Sequence, residues 1–293
     1  MILRTPTRSH VPKWVLGSPL ILFAAIFVAY PVYQGIQTGF YGLSLQNPET
    51  LFTGLDNFGT VLTDPGFLAA AKFTVLFAVA VTVVETVLGF GLALLVNRDF
   101  PGKKVFFTML LVPIMVAPAL LGVMFRLLLN GDIGLVPAVL RTVGLDVSLF
   151  APNTVVQLLV LLDILQWTPF AFLIMYAGLQ SFPTDVLEAA QVDGAGRLRI
   201  LRSIIAPIMK PIIFAALFLR LIDALRTFDV IYVLTAGGPG TKTTTMSIYI
   251  YKTAFESGQF GLAAAASTIV MLVLLPFVPL FVRRIANPDG KAR

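Results

Sequence analysis

Six apolar runs, each about as long as a lipid bilayer is thick, dominate this 293-residue chain. They fall at roughly 15–37, 70–96, 105–129, 154–177, 211–234 and 262–282, and a helix needs about 20 mostly apolar residues to cross the hydrocarbon core. Lipid offers backbone N–H and C=O groups no partners, so only helices and closed barrels can span it. The runs are continuous rather than alternating over about 10 residues, which argues against outer-membrane-type strands. With 57% hydrophobic and 12% charged residues, and a mean hydropathy of +0.90, the composition excludes a soluble globular domain. The expectation is an all-α polytopic membrane protein with six transmembrane helices. Residues 1–14 form an N-terminal tail, 15–282 the transmembrane domain and 283–293 a C-terminal tail.

The basic residues orient these helices, because Lys and Arg accumulate on the cytoplasmic side. With the N-terminus inside, the inner segments carry Arg4, Arg8, Lys13, Arg98, Lys103, Lys104, Arg197, Arg199, Arg202, Lys210, Arg283, Arg284, Lys291 and Arg293. The outer side receives only Lys72, Arg141, Lys242 and Lys252. Both termini are therefore expected in the cytoplasm. The net charge of +6 reads as this bias rather than as a nucleic-acid surface, which needs a clustered basic patch with interleaved aromatics. The chain has no cysteine, so disulfides, thiol nucleophiles and Cys-ligated metals are excluded. The apolar run after MILRTPTRSHVPK lacks a clear A-x-A site and reads as an uncleaved first helix.

Polar residues inside the runs mark the candidate transport path, since ionisable groups in lipid cost several kcal/mol unless they face a partner or a cavity. Thr82, Glu85, Thr86 and Gly89 share one face of the second run. Glu85 fits either an interhelical hydrogen bond or a substrate contact. Asp163, Gln166 and Trp167 share a face of the fourth run, where an aromatic ring with a carboxylate and an amide suits a sugar as well as a structural cluster. Arg220, Asp223, Arg226 and Asp229 alternate in sign at three-residue steps in the fifth, a spacing that permits successive ion pairs. Arg220 and Asp223 fall near the midplane, where transporter sites lie. Their role is either an ion-pair ladder or substrate contact. Pro113 and Pro118 favour a kink in the third run, and Arg126 near its outer end is expected to snorkel. Gly35 and Gly39 make a small-xxx-small pair suited to helix contact.

Between the fourth and fifth runs lies a polar segment, about 181–210, that includes EAAQVDGAGRLRILRSIIAPIMKP at 188–211. Asp185 and Glu188 fit a capping box, so a short helix through Gln191 is expected. It would be closed by a turn at Gly194, where a Cβ would hinder the backbone. Glu188, Ala189, Ala190, Gly194, Ile204 and Pro207 resemble the EAA loop of permease subunits in ATP-binding-cassette importers. Ala206 stands where that family usually has Leu. Residues 228–255, FDVIYVLTAGGPGTKTTTMSIYIYKTAF, and 54–67, GLDNFGTVLTDPGF, resemble the carbohydrate-uptake permeases of the maltose and glycerol-phosphate type, first subunit.

This resemblance covers most of the chain and implies a type I importer permease fold. The implied partners are a second permease subunit, two ATPase subunits and an extracytoplasmic solute-binding protein, with a sugar or polyol as substrate. It further implies ATPase coupling through Glu188, Ala189, Ala190, Asp193 and Gly194. ATP and Mg would be held by the partner ATPase, with no cofactor or metal on this chain, in a bacterial or archaeal inner membrane. Glu85, Asp163, Gln166, Trp167, Arg220, Asp223 and Arg226 are then the candidate substrate path. Gly237, Gly238 and Pro239 are the loop that faces the binding protein.

Four rival readings of these residues are possible. GGPGTKT at 237–243 lacks the G-x-x-x-x-G-K-[ST] spacing of a phosphate loop. An intramembrane hydrolase finds no support, because the single histidine is His10 and neither HExxH nor GxSxG occurs. An ion-coupled transporter using Glu85, Asp163 or Asp223 would need no EAA loop, and an importer permease for a non-sugar solute would usually lack the LTAGGPG segment.

Overall fold

A computed structural model describes residues 13–47, 51–145, 148–181, 184–277 and 279. Among the described residues the regular secondary structure is helical, apart from one isolated bridge between Tyr41 and Phe52. Four helices are long and apolar enough to span a membrane: α1 (Gly17–Thr38), α3 (Pro65–Val96), α7 (Val155–Gln180) and α9 (Arg197–Leu225). A fifth crossing is broken into α4 (Lys103–Met115) and α5 (Pro118–Leu128), which meet at 98°. The shorter elements are α2 (Asp56–Thr63), α6 (Leu135–Thr142), α8 (Thr184–Val192), α10 (Asp229–Thr235), α11 (Met246–Tyr251) and α12 (Phe260–Leu274). The sixth expected span, 262–282, is seen as the 15-residue α12, and its remainder runs largely outside the described residues. Both expected tails also fall outside them, save residues 13 and 14.

The helices sort into two units. One contains residues up to Leu62 together with Ile250–Leu272. In it Asn57 donates from Nδ2 to the carbonyls of Gly39 (3.0 Å) and Tyr41 (2.9 Å), tying α2 to the loop that follows α1. Gly39 lies against α12, since a Cβ there would stand 3.2 Å from the Ala265 backbone. Gly35 meets nothing within 4 Å, so only half of the expected small-residue pair makes a close contact.

The second unit, built mainly from Thr63–Tyr249, holds the polar path. Helix α3 begins at Pro65, capped by Asp64, whose Oδ1 accepts from the Gly66 N–H at 2.7 Å. Proline suits the first helical position, so the helix starts five residues ahead of the apolar run expected at 70–96. Along α3 the buried residues Thr74, Phe77, Ala78, Val81, Thr82, Glu85, Thr86, Gly89, Ala93 and Val96 form one stripe at three- and four-residue steps. This stripe packs chiefly on α7, and α9 packs on both. The opposite face exposes Val75, Leu76, Val79, Val83, Val87 and Leu88. Thr74, Thr82, Glu85 and Thr86 thus lie on the inner face and the outer face over 75–88 is apolar, the arrangement a lipid solvent selects.

Two expected spans depart from a straight helix, and each departure has a local cause. Residues before a proline avoid the helical region; Val116 and Ala117 are extended (ψ 131° and 136°) ahead of Pro118. The Gln166 amide donates to the freed Val116 carbonyl at 3.4 Å. The fifth run was expected to be one helix over 211–234. Instead α9 starts far earlier, at Arg197, and stops at Leu225, and α10 resumes at Asp229. No proline or glycine lies at this break. Hydroxyls from a later segment support it: Ser247 Oγ donates to the Arg226 carbonyl (3.3 Å) and Thr245 Oγ1 to that of Thr227 (3.1 Å). Broken helices persist at membrane depth only where such partners exist. Arg126, exposed near the end of α5, donates to the Val233 carbonyl of α10 at 3.0 Å.

The tightest approach of α3 to α7 is at Gly89, where an added Cβ would stand 2.7 Å from the Ala171 Cβ and 2.8 Å from the Phe172 nitrogen. Gly89→Val should therefore cost about 1–3 kcal/mol by overpacking. The expected readout is a lower melting temperature of the detergent-solubilised protein. Gly91→Ala, in open space, should leave it unchanged or slightly raised, by about 1 kcal/mol at most.

Candidate transport site

Two apolar clusters fill the second unit. One gathers Phe77, Val81, Leu159, Leu162, Ala224 and Ile231; the other Ala93, Val96, Phe172, Met175, Met209 and Ala216. Each of α3, α7 and α9 contributes to both, and on each helix the charged residue falls between its two contributions. Glu85, Asp163 and Arg220 therefore meet in one polar layer. Glu85 lies about 17 Å along α3 from its end at Val96, deep within the hydrocarbon.

Arg220 is the centre of this layer and the largest fully buried side chain. Its Nε stands 2.6 Å from Glu85 Oε2 as an ion pair, and Nη2 donates to Glu85 Oε1 at 3.2 Å. The same Nη2 donates to Asp163 Oδ2, and Nη1 to Asp223 Oδ2 at 3.3 Å. Glu85 and Asp163 are buried, whereas the Asp223 side chain is 37% exposed. The Trp167 ring covers the guanidinium at 5.0 Å, a cation–π distance. The expected ladder is real only in part. Arg226 pairs with Asp223 at 3.4 Å, but Asp229 stands beyond the helix break as the first residue of α10.

A cleft of about 340 Å³ opens beside this layer. Its walls include Asp163 and Trp167 from α7, Asp223 from α9, Arg226, Thr227 and Phe228 from the break, and Asp229 and Pro118. Trp167 and Phe228 supply aromatic surface, and the carboxylates supply acceptors for hydroxyl groups. Trp167, Arg220, Asp223 and Arg226 also line a neighbouring recess of about 330 Å³. Of the expected path residues, Asp163, Trp167, Asp223 and Arg226 thus reach the open cleft. Glu85 and Gln166 are buried behind it. Glu85 and Arg220 form an interhelical ion pair, and Arg220 also borders the neighbouring recess.

Ahead of α9, helix α8 carries the Glu-Ala-Ala segment. Its C-terminus closes with the Ala195 N–H donating to the Ala190 carbonyl (3.0 Å) and that of Gly194 to Gln191 (3.0 Å). Gly194 adopts φ +76°, the left-handed turn expected there. Glu188, Ala189, Asp193 and Gly194 are exposed, with Val186 and Val192 beside them, whereas Ala190 is buried against its own chain.

The opposite loop, Ala236–Gly240, is held by threonines that sequence reasoning did not single out. Thr243 Oγ1 donates to the Gly238 carbonyl at 2.7 Å, Thr244 Oγ1 to that of Gly237 at 3.2 Å, and Thr235 Oγ1 accepts from the Gly237 N–H at 3.2 Å. Thr74 Oγ1 on α3 accepts from the Met246 N–H (2.9 Å), anchoring the segment that follows. With Arg126, Asn130, Gly131 and Phe150, residues Gly238 and Pro239 border a cleft of about 350 Å³.

Removing one partner of a buried ion pair strands the other and costs about 3–5 kcal/mol. Arg220→Met should accordingly abolish or sharply reduce the yield of folded protein, measured by size exclusion in detergent. The triple variant Glu85→Gln, Asp163→Asn, Arg220→Met removes the stranded charges and should recover much of that yield.

Sequence and structure comparisons agree with this architecture. Over residues 85–289 the chain matches the family described as the binding-protein-dependent transport system inner membrane component. It is 34% identical over 272 residues to the trehalose/maltose transport system permease protein MalF of Thermococcus litoralis, covering 90% of each chain. It is 32% identical over 292 residues to the sn-glycerol-3-phosphate transport system permease protein UgpA of Escherichia coli, covering 98% of this chain and 97% of that one. Among solved structures, a bacterial ABC transporter that imports the acidic polysaccharide alginate superposes with a TM-score of 0.82 at 26% identity, over 95% of this chain and 97% of the other. The chain therefore belongs to the inner-membrane permease components of binding-protein-dependent ABC importers.

Proposed function

We propose that this chain is one of two permease subunits of an ATP-driven importer that carries a sugar or polyol across a bacterial or archaeal inner membrane. The observation that carries the reading is its likeness, along nearly the whole chain, to permeases named for trehalose/maltose and glycerol-3-phosphate transport. The cleft at Asp163, Trp167, Asp223, Arg226 and Phe228 is this chain's half of the path, with the second permease supplying the other. Aromatic faces suit sugar rings, and carboxylates accept hydrogen bonds from hydroxyl groups.

In this reading both termini lie in the cytoplasm, as the lysine and arginine bias supports. Two ATPase subunits hold ATP and Mg, and one of them receives the exposed face of α8 around Glu188, Ala189, Asp193 and Gly194. Ala190 supports that face from within. Gly237, Gly238 and Pro239 meet the solute-binding protein on the other side, where the threonine bonds keep the loop in one shape. ATP binding and the loaded binding protein favour different global states, and alternating access follows from that bias.

Glu188→Arg and Gly194→Asp test the coupling half of the proposal in the purified complex of both permeases and the ATPase. Loss of ATPase association, or of hydrolysis stimulated by the binding protein, is expected while the two permeases remain paired. Unchanged stimulation and uptake in both variants would overturn it.

A further inference from the structure

The relatives' names span neutral cargo (trehalose and maltose) and anionic cargo (glycerol-3-phosphate and the acidic polysaccharide alginate). Family membership therefore leaves the charge of this chain's substrate open. The distribution of charge around the cleft bears on it directly. Three carboxylates, Asp163, Asp223 and Asp229, line the opening, against one arginine, Arg226. The other arginine of the layer, Arg220, is directed into the protein, where Glu85, Asp163 and Asp223 take its guanidinium between them.

Resting on the carbohydrate reading above, we infer that this cleft selects uncharged sugars and excludes anionic ones such as uronates and sugar phosphates. Recognition of a carboxylate or phosphate calls for an arginine free to present its paired N–H donors. Arg220 is buried and engaged on every side, its Nε and Nη2 by Glu85 and Asp163 and its Nη1 by Asp223. Arg226 is exposed, but Asp223 already partners it at 3.4 Å, and Asp229 lies three residues on. At the cleft wall three carboxylates stand against the single exposed arginine, so an incoming anion meets a surplus of its own sign. Like charges within a few ångströms in a partly desolvated space repel strongly enough to reject a ligand. A neutral sugar meets the same carboxylates as hydrogen-bond acceptors and the Trp167 and Phe228 rings as stacking surfaces.

The test must bypass the binding protein, which has a selectivity of its own. The detergent-solubilised complex of both permeases and the ATPase would be probed with radiolabelled maltose, competed by unlabelled maltose, by trehalose and by the uronic-acid counterpart of maltose. The neutral sugars are expected to compete at least tenfold better than the uronate. Asp229→Asn and Asp223→Asn should each narrow that gap, chiefly by strengthening competition by the uronate. Equal competition by neutral and acidic sugars in the wild-type complex would overturn the charge inference and leave the carbohydrate reading intact. An unchanged gap in both variants would also overturn it, since the selection would then lie outside this chain. Failure of every sugar to bind a complex that still hydrolyses ATP would overturn the carbohydrate reading, and this inference with it.

Discussion

One guanidinium holds the membrane-embedded unit together. Arg220 brings α3, α7 and α9 to a common point by pairing with carboxylates from the first two while belonging to the third. An isolated charge at that depth is prohibitive; among its partners it becomes an organising element. The same demand fixes rotation about each helix axis, because turning α3 by one residue would bring Glu85 toward lipid. Apolar clusters above and below the layer then pack without further instruction, and the small residue Gly89 lets α3 and α7 approach closely.

Irregular backbone in this unit follows a second rule, that each freed carbonyl needs a donor. The break ahead of Pro118 is met by the Gln166 amide, and the break at 226–228 by the hydroxyls of Thr245 and Ser247. Both breaks border the cleft. Straight helices would have filled that space, so the interruptions create the opening and the side chains that support them are part of its wall.

Much of this was legible in the sequence. The apolar runs gave the helical membrane class, the polar stripe on α3 gave its inward face, and Gly194 gave the turn after α8. The bend at Pro118 followed from proline chemistry. Other features were hidden for identifiable reasons. The break after Leu225 carries no proline or glycine, since its support comes from residues some twenty positions later. Periodicity reports on one helix at a time, so it found the local pairs of Arg220 and Asp223 but not the stronger pairing of Arg220 with Glu85 and Asp163. A signal was present, in that three helices each carried a charge at comparable depth. The Arg126 acceptor was hidden for the same reason, being a carbonyl on another helix. Ala190, expected on the docking face with Ala189, turned out to be buried because adjacent helical residues point about 100° apart.

Helix α9 runs unbroken by any loop from Arg197, beside the segment closed by Gly194, to Leu225, just past the buried arginine. The 23 positions between Arg197 and Arg220 amount to about 35 Å of axial length. Such a lever converts small angles into large strokes: a swing of about 10° about its Arg197 end carries the far end some 6 Å. An ion pair ends at about 4 Å, so a swing of that size would suffice to tear Arg220 from at least one of its carboxylates. The wide turn at Leu201–Ile205, just ahead of Pro207, interrupts the regular hydrogen-bond ladder near the Arg197 end of that shaft.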